Sequence, residues 1–264
     1  MAELREKASS LLAVFAHPDD ESIACGGLLA RCGADTVGAT ILCLTRGGLG
    51  QVDDPARARM GELRERELHA ATRILGVREV IVLDHRNGFL PWADRNVLEA
   101  DIVSVIRRVR PTTVVTFDDD GLYWHPDHIV VHERTTAAVS ALAGDAPALY
   151  YVQVPKGAMR NAWLAATRAA EARGDLETVR PFALGVEVDA YGLFTTPPTL
   201  TLDVRGQAVA KLRAIRSHAS QLVGDALDRL PEECAAEVLG LELYRRAEIG
   251  AQGETFLDRI SRPI

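Results

Sequence analysis

LLAVFAHPDDESIACGG, residues 11–27, is the stretch from which the rest of the chain is read. It opens as an unbroken apolar run, Leu11 to Ala16, and stops abruptly in His17-Pro18-Asp19-Asp20-Glu21. A short apolar run that ends this way predicts a buried β-strand delivering a polar cluster to its C-terminal end. Ser22 and the small apolar residues after it predict a helix over about 23–32. In an open α/β sheet, ligands bind in the crevice beyond the carboxyl ends of the strands. An imidazole and three carboxylates are therefore aimed at the place where a site is expected. Gathering such charge is costly unless a cation, a proton or a substrate uses it.

The pattern repeats outward from this point. Strands are expected at 39–44, 80–83, 113–117 and 149–154. Helices are expected at 55–75, stopped by Gly76, at 97–109, ending before Pro111, and from about 129 to 142. Strands separated by helices of this length need right-handed crossovers and give a doubly wound, mostly parallel sheet flanked by helices. A Rossmann-like order, 3-2-1-4-5, puts strands one and four side by side at the switch point. After Pro155 the signal weakens. A helix over 158–172, a sixth strand over 200–204 and helical spacing over 205–222 stand out, and the tail over 232–260 alternates helical and irregular signals. With no repeat or linker, the chain reads as a single α/β domain over 1–264, with a core at about 10–155 and a variable C-terminal part at about 156–264.

Composition bounds the function. The 264 residues are 47% hydrophobic and 25% charged, with a formal net charge of −7. That supports a sizeable core and argues against a nucleic-acid surface. No apolar run approaches the 18 or so residues of a membrane span. The polar start MAELREKASS has no signal-peptide core, so a cytoplasmic protein is expected. Cys25, Cys32, Cys43 and Cys234 show no C-x-x-C spacing and read as reduced thiols, the first three buried. A small-molecule substrate is the expected partner, and a homo-oligomer stays open.

Strand four ends in a second polar cluster, Asp118-Asp119-Asp120-Gly121-Leu122-Tyr123-Trp124-His125-Pro126-Asp127-His128. At the switch point His17, Asp19 and Asp20 should meet His125, Asp127 and His128, more than a hundred residues later. Two histidines and a carboxylate with an open position are what a catalytic zinc needs. The residues alone offer three histidines if His132 is counted, and at least four acids. The glycine-rich turn Thr45 to Gly50 follows a strand but has neither dinucleotide nor Walker A spacing.

AHPDDE after an apolar strand, followed by HPDH about a hundred residues later, resembles the PIG-L/LmbE-like de-N-acetylase family. The family includes deacetylases of N-acetylglucosaminyl-phosphatidylinositol, of mycothiol and bacillithiol precursors and of some glycopeptide antibiotics. The likeness covers roughly residues 10–140 and returns at Lys211–Gln221, K-x-x-A-I-x-S-H-A-S-Q. It implies a Zn2+ held by His17, Asp20 and His128, with Asp19 as general base and a protonated His125 as general acid or oxyanion stabiliser. It also implies Tyr123 against the substrate or oxyanion, and Arg64, in R-x-x-E-L, as a sugar- or phosphate-binding residue. Two departures bear on the substrate rather than on the metal site. Asn87-Gly88 stands where the family often has Asp-Gly, which makes Asn87 a substrate-binding candidate, and Arg46 stands where an acid is common. The implied activity is removal of an acetyl or other acyl group from the nitrogen of an N-acetylglucosamine-type glycoside.

Three rivals belong beside it. One is a metal-dependent hydratase or lyase on an acidic small molecule, with Arg46, Arg64 and Arg86 holding carboxylates. Another is a thiol-conjugate amidase. The third is a sugar- or nucleotide-binding module without catalysis. Other residues take plainer readings. Asp127 and Glu21 orient ligands or close the helix start. His69, His85 and His132 are helix-surface or loop histidines, and His218 is a hydrogen-bonded structural one. Asp118-Asp119-Asp120 is read as facing solvent, and the charged helix over 57–67 as mostly a solvated face.

Overall fold

The strand at the head of the HPDDE segment is the centre of the sheet. In a computed structural model, which describes residues 9–48, 55–175, 179–222 and 224–264, β1 (Ser10–Phe15) lies between β2 (Gly38–Thr45) and β4 (Thr113–Phe117). Leu49 and Gly50, the end of the glycine-rich turn, fall outside the described residues, as do residues 1–8 and the side chain of Arg57. Residues 11–15 of β1 are all buried, as a parallel strand covered on both faces requires.

The elements follow in the order α1 (Asp20–Ala34) after β1, α2 (Pro55–Ile74) after β2, then β3 (Glu79–His85) and α3 (Arg95–Val109) before β4. A distorted turn, α4 (Gly121–Trp124), leads into α5 (Pro126–Ala141), β5 (Ala148–Gln153) and α6 (Ala158–Ala172). A small hairpin, β6 (Phe182–Ala183) and β7 (Val186–Glu187), precedes β8 (Leu200–Asp203), α7 (Ala208–Ser217), α8 (Ala226–Arg229) and α9 (Ala235–Val238). The described chain closes with β9 (Leu241–Gly250), α10 (Phe256–Ile260) and β10 (Arg262–Pro263).

The large sheet runs β10-β8-β9-β5-β4-β1-β2-β3. Its parallel half, β3-β2-β1-β4-β5, has the expected order, and helices flank it. β1 pairs with β4 in the register Leu11↔Thr113 to Ala13↔Val115, so the two strands end level with each other. Their last side chains, Phe15 and Phe117, meet edge to face at 4.9 Å. That register, and not any nearness in sequence, brings the two histidine-bearing loops together.

β9 is a correction to the tail expected to be helical or irregular. It is a ten-residue strand inserted antiparallel between β5 and β8. Its buried residues are Glu242, Tyr244 and Ala247, so the interval changes from two to three and one inward residue is a carboxylate. No alternating apolar pattern is left to read. Glu242 is tolerated because its donors come from elsewhere: Lys211 Nζ and the Tyr244 hydroxyl each lie at 2.7 Å. It also accepts the backbone N–H groups of Gly27 (2.7 Å) and Leu28 (3.0 Å), which α1 releases where Cys25 departs from helical geometry. A carboxylate on β9 thus caps the second half of a broken helix whose first half carries the HPDDE acids. Gly27 permits the approach, because a Cβ there would lie 2.5 Å from Val204.

Candidate active site

His17, Asp19 and Asp20 leave the end of β1; His125, Asp127 and His128 leave the end of β4 and the first turn of α5. All but His125 are buried, and His125 is half-buried. His17 Nδ1 lies 3.1 Å from His128 Nε2, His128 Nε2 lies 3.1 Å from Asp20 Oδ1, and His17 Nδ1 lies 3.4 Å from Asp20 Oδ2. Zinc–ligand bonds of 2.0–2.1 Å imply tetrahedral edges of about 3.3 Å, so these three residues have the spacing of one face of a zinc site.

The hydrogen bonds behind the rings fix what they present. His17 donates from Nε2 to Asp127 Oδ2 at 3.1 Å, which leaves the Nδ1 lone pair facing inward. His128 donates from Nδ1 to the Gly121 carbonyl at 3.1 Å, which leaves the Nε2 lone pair facing inward. Two lone pairs and a carboxylate then confront one another in a buried space, an arrangement that calls for a cation. A proton meets the same demand: burial opposes a charge on His17, but Asp127 and Asp20 outweigh it and lift the imidazole to about 9. Burial likewise works against the Asp20 carboxylate, yet His128 and His17 hold it well below the usual carboxylate range.

Two features lock His128 in place. Phe117 stacks on its ring with centroids 4.0 Å apart and planes 5° from parallel. Gly121, at φ +54°, brings its carbonyl close; a Cβ there would meet the His128 Cβ at 2.9 Å. Asp127 does more than hold His17. Its carboxylate also accepts Gly88 N–H (2.7 Å) and Leu90 N–H (3.1 Å), tying the loop after β3 to the same centre.

His125 also brings a ring nitrogen within 4.8 Å of those of His17 and His128, which makes a three-histidine set conceivable. The hydrogen bonds argue for the carboxylate instead. His125 caps α5, its Nδ1 accepting the Asp127 N–H at 3.1 Å, so the neutral ring carries its proton on Nε2 and is a donor there. Burial and the neighbouring His128 and His17 push His125 down to about 4. In the metal-free site this favours the neutral ring over the protonated His125 that the resemblance implies.

Asp19 lies beside the three converging residues. Its backbone, at φ 117°, is in a region that L-residues rarely adopt and that costs about 1–3 kcal/mol. Arg64 holds it, donating to Asp19 Oδ2 (2.8 Å), to the Pro18 carbonyl (2.7 Å) and to the Gly47 carbonyl (2.8 Å). Arg64, expected to bind substrate, is therefore buried with its terminal nitrogens committed to protein partners, and only its Nε lacks one. Burial raises the Asp19 carboxyl despite Arg64.

Asn87 is buried, and its amide has no hydrogen-bond partner among the described residues. Tyr123 packs edge-on to His128 (5.2 Å) and His125 (5.8 Å), and burial pushes its phenol up. Behind it stands Tyr191, 5.1 Å away and hydrogen-bonded to the Ala183 carbonyl, from a stretch in which the sequence carries no motif.

Asp118 and Asp120 are a second correction, since both are buried instead of facing solvent. Asp118 pairs with Arg245 and Gln153 (2.5 Å to the latter), and Asp120 caps Leu122 N–H at 3.1 Å. The counter-ion sits on β9, the strand that the sequence does not announce. Nor is His132 a plain surface residue: its Nδ1 donates to the Phe117 carbonyl at 2.9 Å.

The family model described as PIG-L, GlcNAc-PI de-N-acetylase, matches residues 12–139. A 1D-myo-inositol 2-acetamido-2-deoxy-alpha-D-glucopyranoside deacetylase of Streptomyces griseus subsp. griseus is 37% identical, over 90% of this chain and 83% of its own. Among solved structures, the N,N'-diacetylchitobiose deacetylase of Pyrococcus horikoshii superposes with a TM-score of 0.61 at 23% identity, over 91% of this chain and 84% of that one. The 4-carboxy-2-hydroxymuconate hydratase of Pseudomonas putida KT2440 superposes with a TM-score of 0.62 at 19% identity, over 93% and 99%. At such identities the two structures establish the fold alone.

Proposed function

The chain belongs to the PIG-L de-N-acetylase family, and from that premise we propose that it is a zinc-dependent hydrolase that removes the acetyl group from the nitrogen of a 2-acetamido-2-deoxyglucose glycoside. The observation that carries the proposal is the mutual approach, within 3.1–3.4 Å, of His17 Nδ1, His128 Nε2 and the Asp20 carboxylate, with a second carboxylate, Asp19, alongside. His17, Asp20 and His128 would hold the metal. Bound there, zinc lowers the pKa of a water toward neutrality and polarises the acetamide carbonyl.

The chain's own groups do the rest. Asp19 accepts the proton of the attacking water. Its Oδ2 is anchored by Arg64, while Oδ1 has no partner among the described residues and is free for the task. His125 donates from Nε2 to the carbonyl oxygen as negative charge develops on it, a contribution of about 2.7–4 kcal/mol for such a donor. Asp19 returns its proton to the departing nitrogen, and acetate and a free amine result. Asn87, buried and unpaired, offers both a donor and an acceptor to a sugar hydroxyl. Tyr123 packs its ring against His125 and His128 at the same centre.

The arginines count against a hydratase. Arg46 pairs with Glu65 (2.5 Å) and Asp84 (3.2 Å), and Arg64 is committed to Asp19, so neither is free for a substrate carboxylate. Of the three, Arg86 alone remains, stacked over Phe89.

The test is a zinc determination on the purified protein, together with amine and acetate release from a panel of N-acetylglucosaminides that includes the inositol glycoside. About one zinc per chain and amine release lost on chelation are expected. A zinc-replete protein that frees no amine from any of them, yet bleaches a conjugated dicarboxylate, would overturn the proposal.

A further inference from the structure

Asp19 is strained, and Arg64 restrains only its side chain and the preceding carbonyl. The Asp19 backbone N–H is held by Glu21, whose Oε2 accepts it at 3.0 Å. Glu21 is almost fully buried and belongs to the first turn of α1, so it needs donors of its own. Ser22 Oγ donates to Oε1 at 2.5 Å, and His218 Nε2 lies 2.8 Å from the same oxygen. His218 is fully buried at the end of α7, about two hundred residues away in sequence. Its ring makes hydrogen bonds only toward Glu21 and Ser22; Nδ1 has no partner among the described residues. A histidine kept for packing alone would more often satisfy both nitrogens. This one spends its polarity on the segment that carries Asp19.

We propose that His218 is a positioning residue for the reaction: through Glu21 it holds the Asp19 backbone at φ 117°, and so keeps the carboxylate aimed at the attacking water. The proposal rests on the deacetylase reading for the role of Asp19, but the geometry it invokes is independent of substrate. Without the His218 donor, Glu21 is a buried carboxylate short of a partner, and its grip on the Asp19 N–H loosens. The strain stored at Asp19 then pulls the residue toward ordinary backbone angles.

The test compares His218→Ala, His218→Gln and His218→Asn. Gln presents an amide N–H near the place of Nε2, and Asn is equally polar but one methylene shorter. For zinc-loaded protein acting on the best N-acetylglucosaminide, His218→Ala and His218→Asn should lower kcat roughly 10–100-fold, the usual consequence of losing such a supporting partner. KM and zinc affinity should stay within about twofold, and His218→Gln should recover most of kcat. Crystal structures should show Asp19 away from φ 117° in the Asn variant and at it in the Gln variant. Wild-type kcat in His218→Asn, or a kcat lowered equally in Gln and Asn with Asp19 unmoved, overturns the proposal. If His218→Ala does not fold, the Gln and Asn pair still decides. If even the wild type deacetylates nothing, the functional reading fails, while the two crystal structures still judge the positioning role.

Discussion

Replacing Asp127 tests the centre most sharply, because one carboxylate satisfies three donors: His17 Nε2–H, Gly88 N–H and Leu90 N–H. In Asp127→Asn, only one end of the amide can accept. If its oxygen faces His17 and Gly88, the amide NH2 confronts the Leu90 N–H, and one buried donor is orphaned at about 1–3 kcal/mol. If the amide flips, the Gly88 N–H is orphaned, and His17 must move its proton to Nδ1 to accept at Nε2. The flip removes the lone pair that faces Asp20 and His128. The first arrangement loses less, so Asp127→Asn should keep its fold, unfold about 1–3 kcal/mol more readily, and bind zinc roughly 10–100-fold more weakly as the support behind His17 loses its charge. Asp127→Ala abandons all three donors and should lose more on both counts. Competition against a chromogenic chelator measures the zinc affinity, and urea unfolding of the metal-free protein measures the stability. An Asp127→Ala protein with wild-type zinc affinity would refute the claim that this carboxylate fixes the His17 tautomer.

Three further outcomes are expected. His125→Ala should lower kcat by roughly 10²–10³ with zinc retained if the ring is the proposed donor to the oxyanion; loss of zinc on His125→Ala and its retention on His128→Ala would exchange their roles. Asp19→Asn should keep zinc and lose at least the ~10²-fold of a general base together with the acidic limb of the pH–rate profile, whereas Asp20→Asn should lose zinc, as metal analysis of both proteins will show. Burial lifts the Asp120 carboxyl from 3.8 to about 6. A raised acid contributes stability that is complete below pH 4 and is lost as pH rises through 6. Asp120→Asn, which can still cap Leu122, should therefore raise Tm at pH 7 and leave it unchanged near pH 4; equal Tm at both values would contradict this.

The parallel half of the sheet is legible because its strands obey local rules. An apolar run such as 11–16, closed by a polar cluster, needs no partner to be recognised, and helices between such runs fix the order. The convergence of His17 with His128 is legible for the same reason, since strand order alone places the two loops together. The antiparallel half is not. β9 is buried through Glu242, whose donors come from Lys211 on α7 and the strand's own Tyr244, and a long-range ion pair leaves no periodic trace. Asp118 is misread for want of Arg245 on that same strand. His125 shows a subtler gap. Its motif is plain in sequence, but its charge depends on a capping bond to the Asp127 N–H and on two neighbouring imidazoles, which only the fold assembles.

Asp19 and Asp20 show how far environment outweighs identity. The two carboxylates are adjacent in sequence and equally buried, yet they are driven in opposite directions: Asp19 upward, Asp20 well downward. Burial raises both. The difference lies in what surrounds them. Asp20 sits against two imidazoles at 3.1 and 3.4 Å and so favours the charged form that a metal ligand needs. Asp19 has one guanidinium on one oxygen and the Asp20 charge next door, so protonation is made easier, as the proposed general base would require. The unusual backbone at Asp19 is what separates them. An ordinary helical residue there would turn the side chain along α1 with its neighbours. At φ 117° the chain reverses locally, so that successive carboxylates meet different partners, one among the histidines and one with Arg64. On the proposed reading, the strain at that residue would separate the two roles, and Arg64, Glu21 and His218, the groups linked to it, would act on the reaction without touching the substrate.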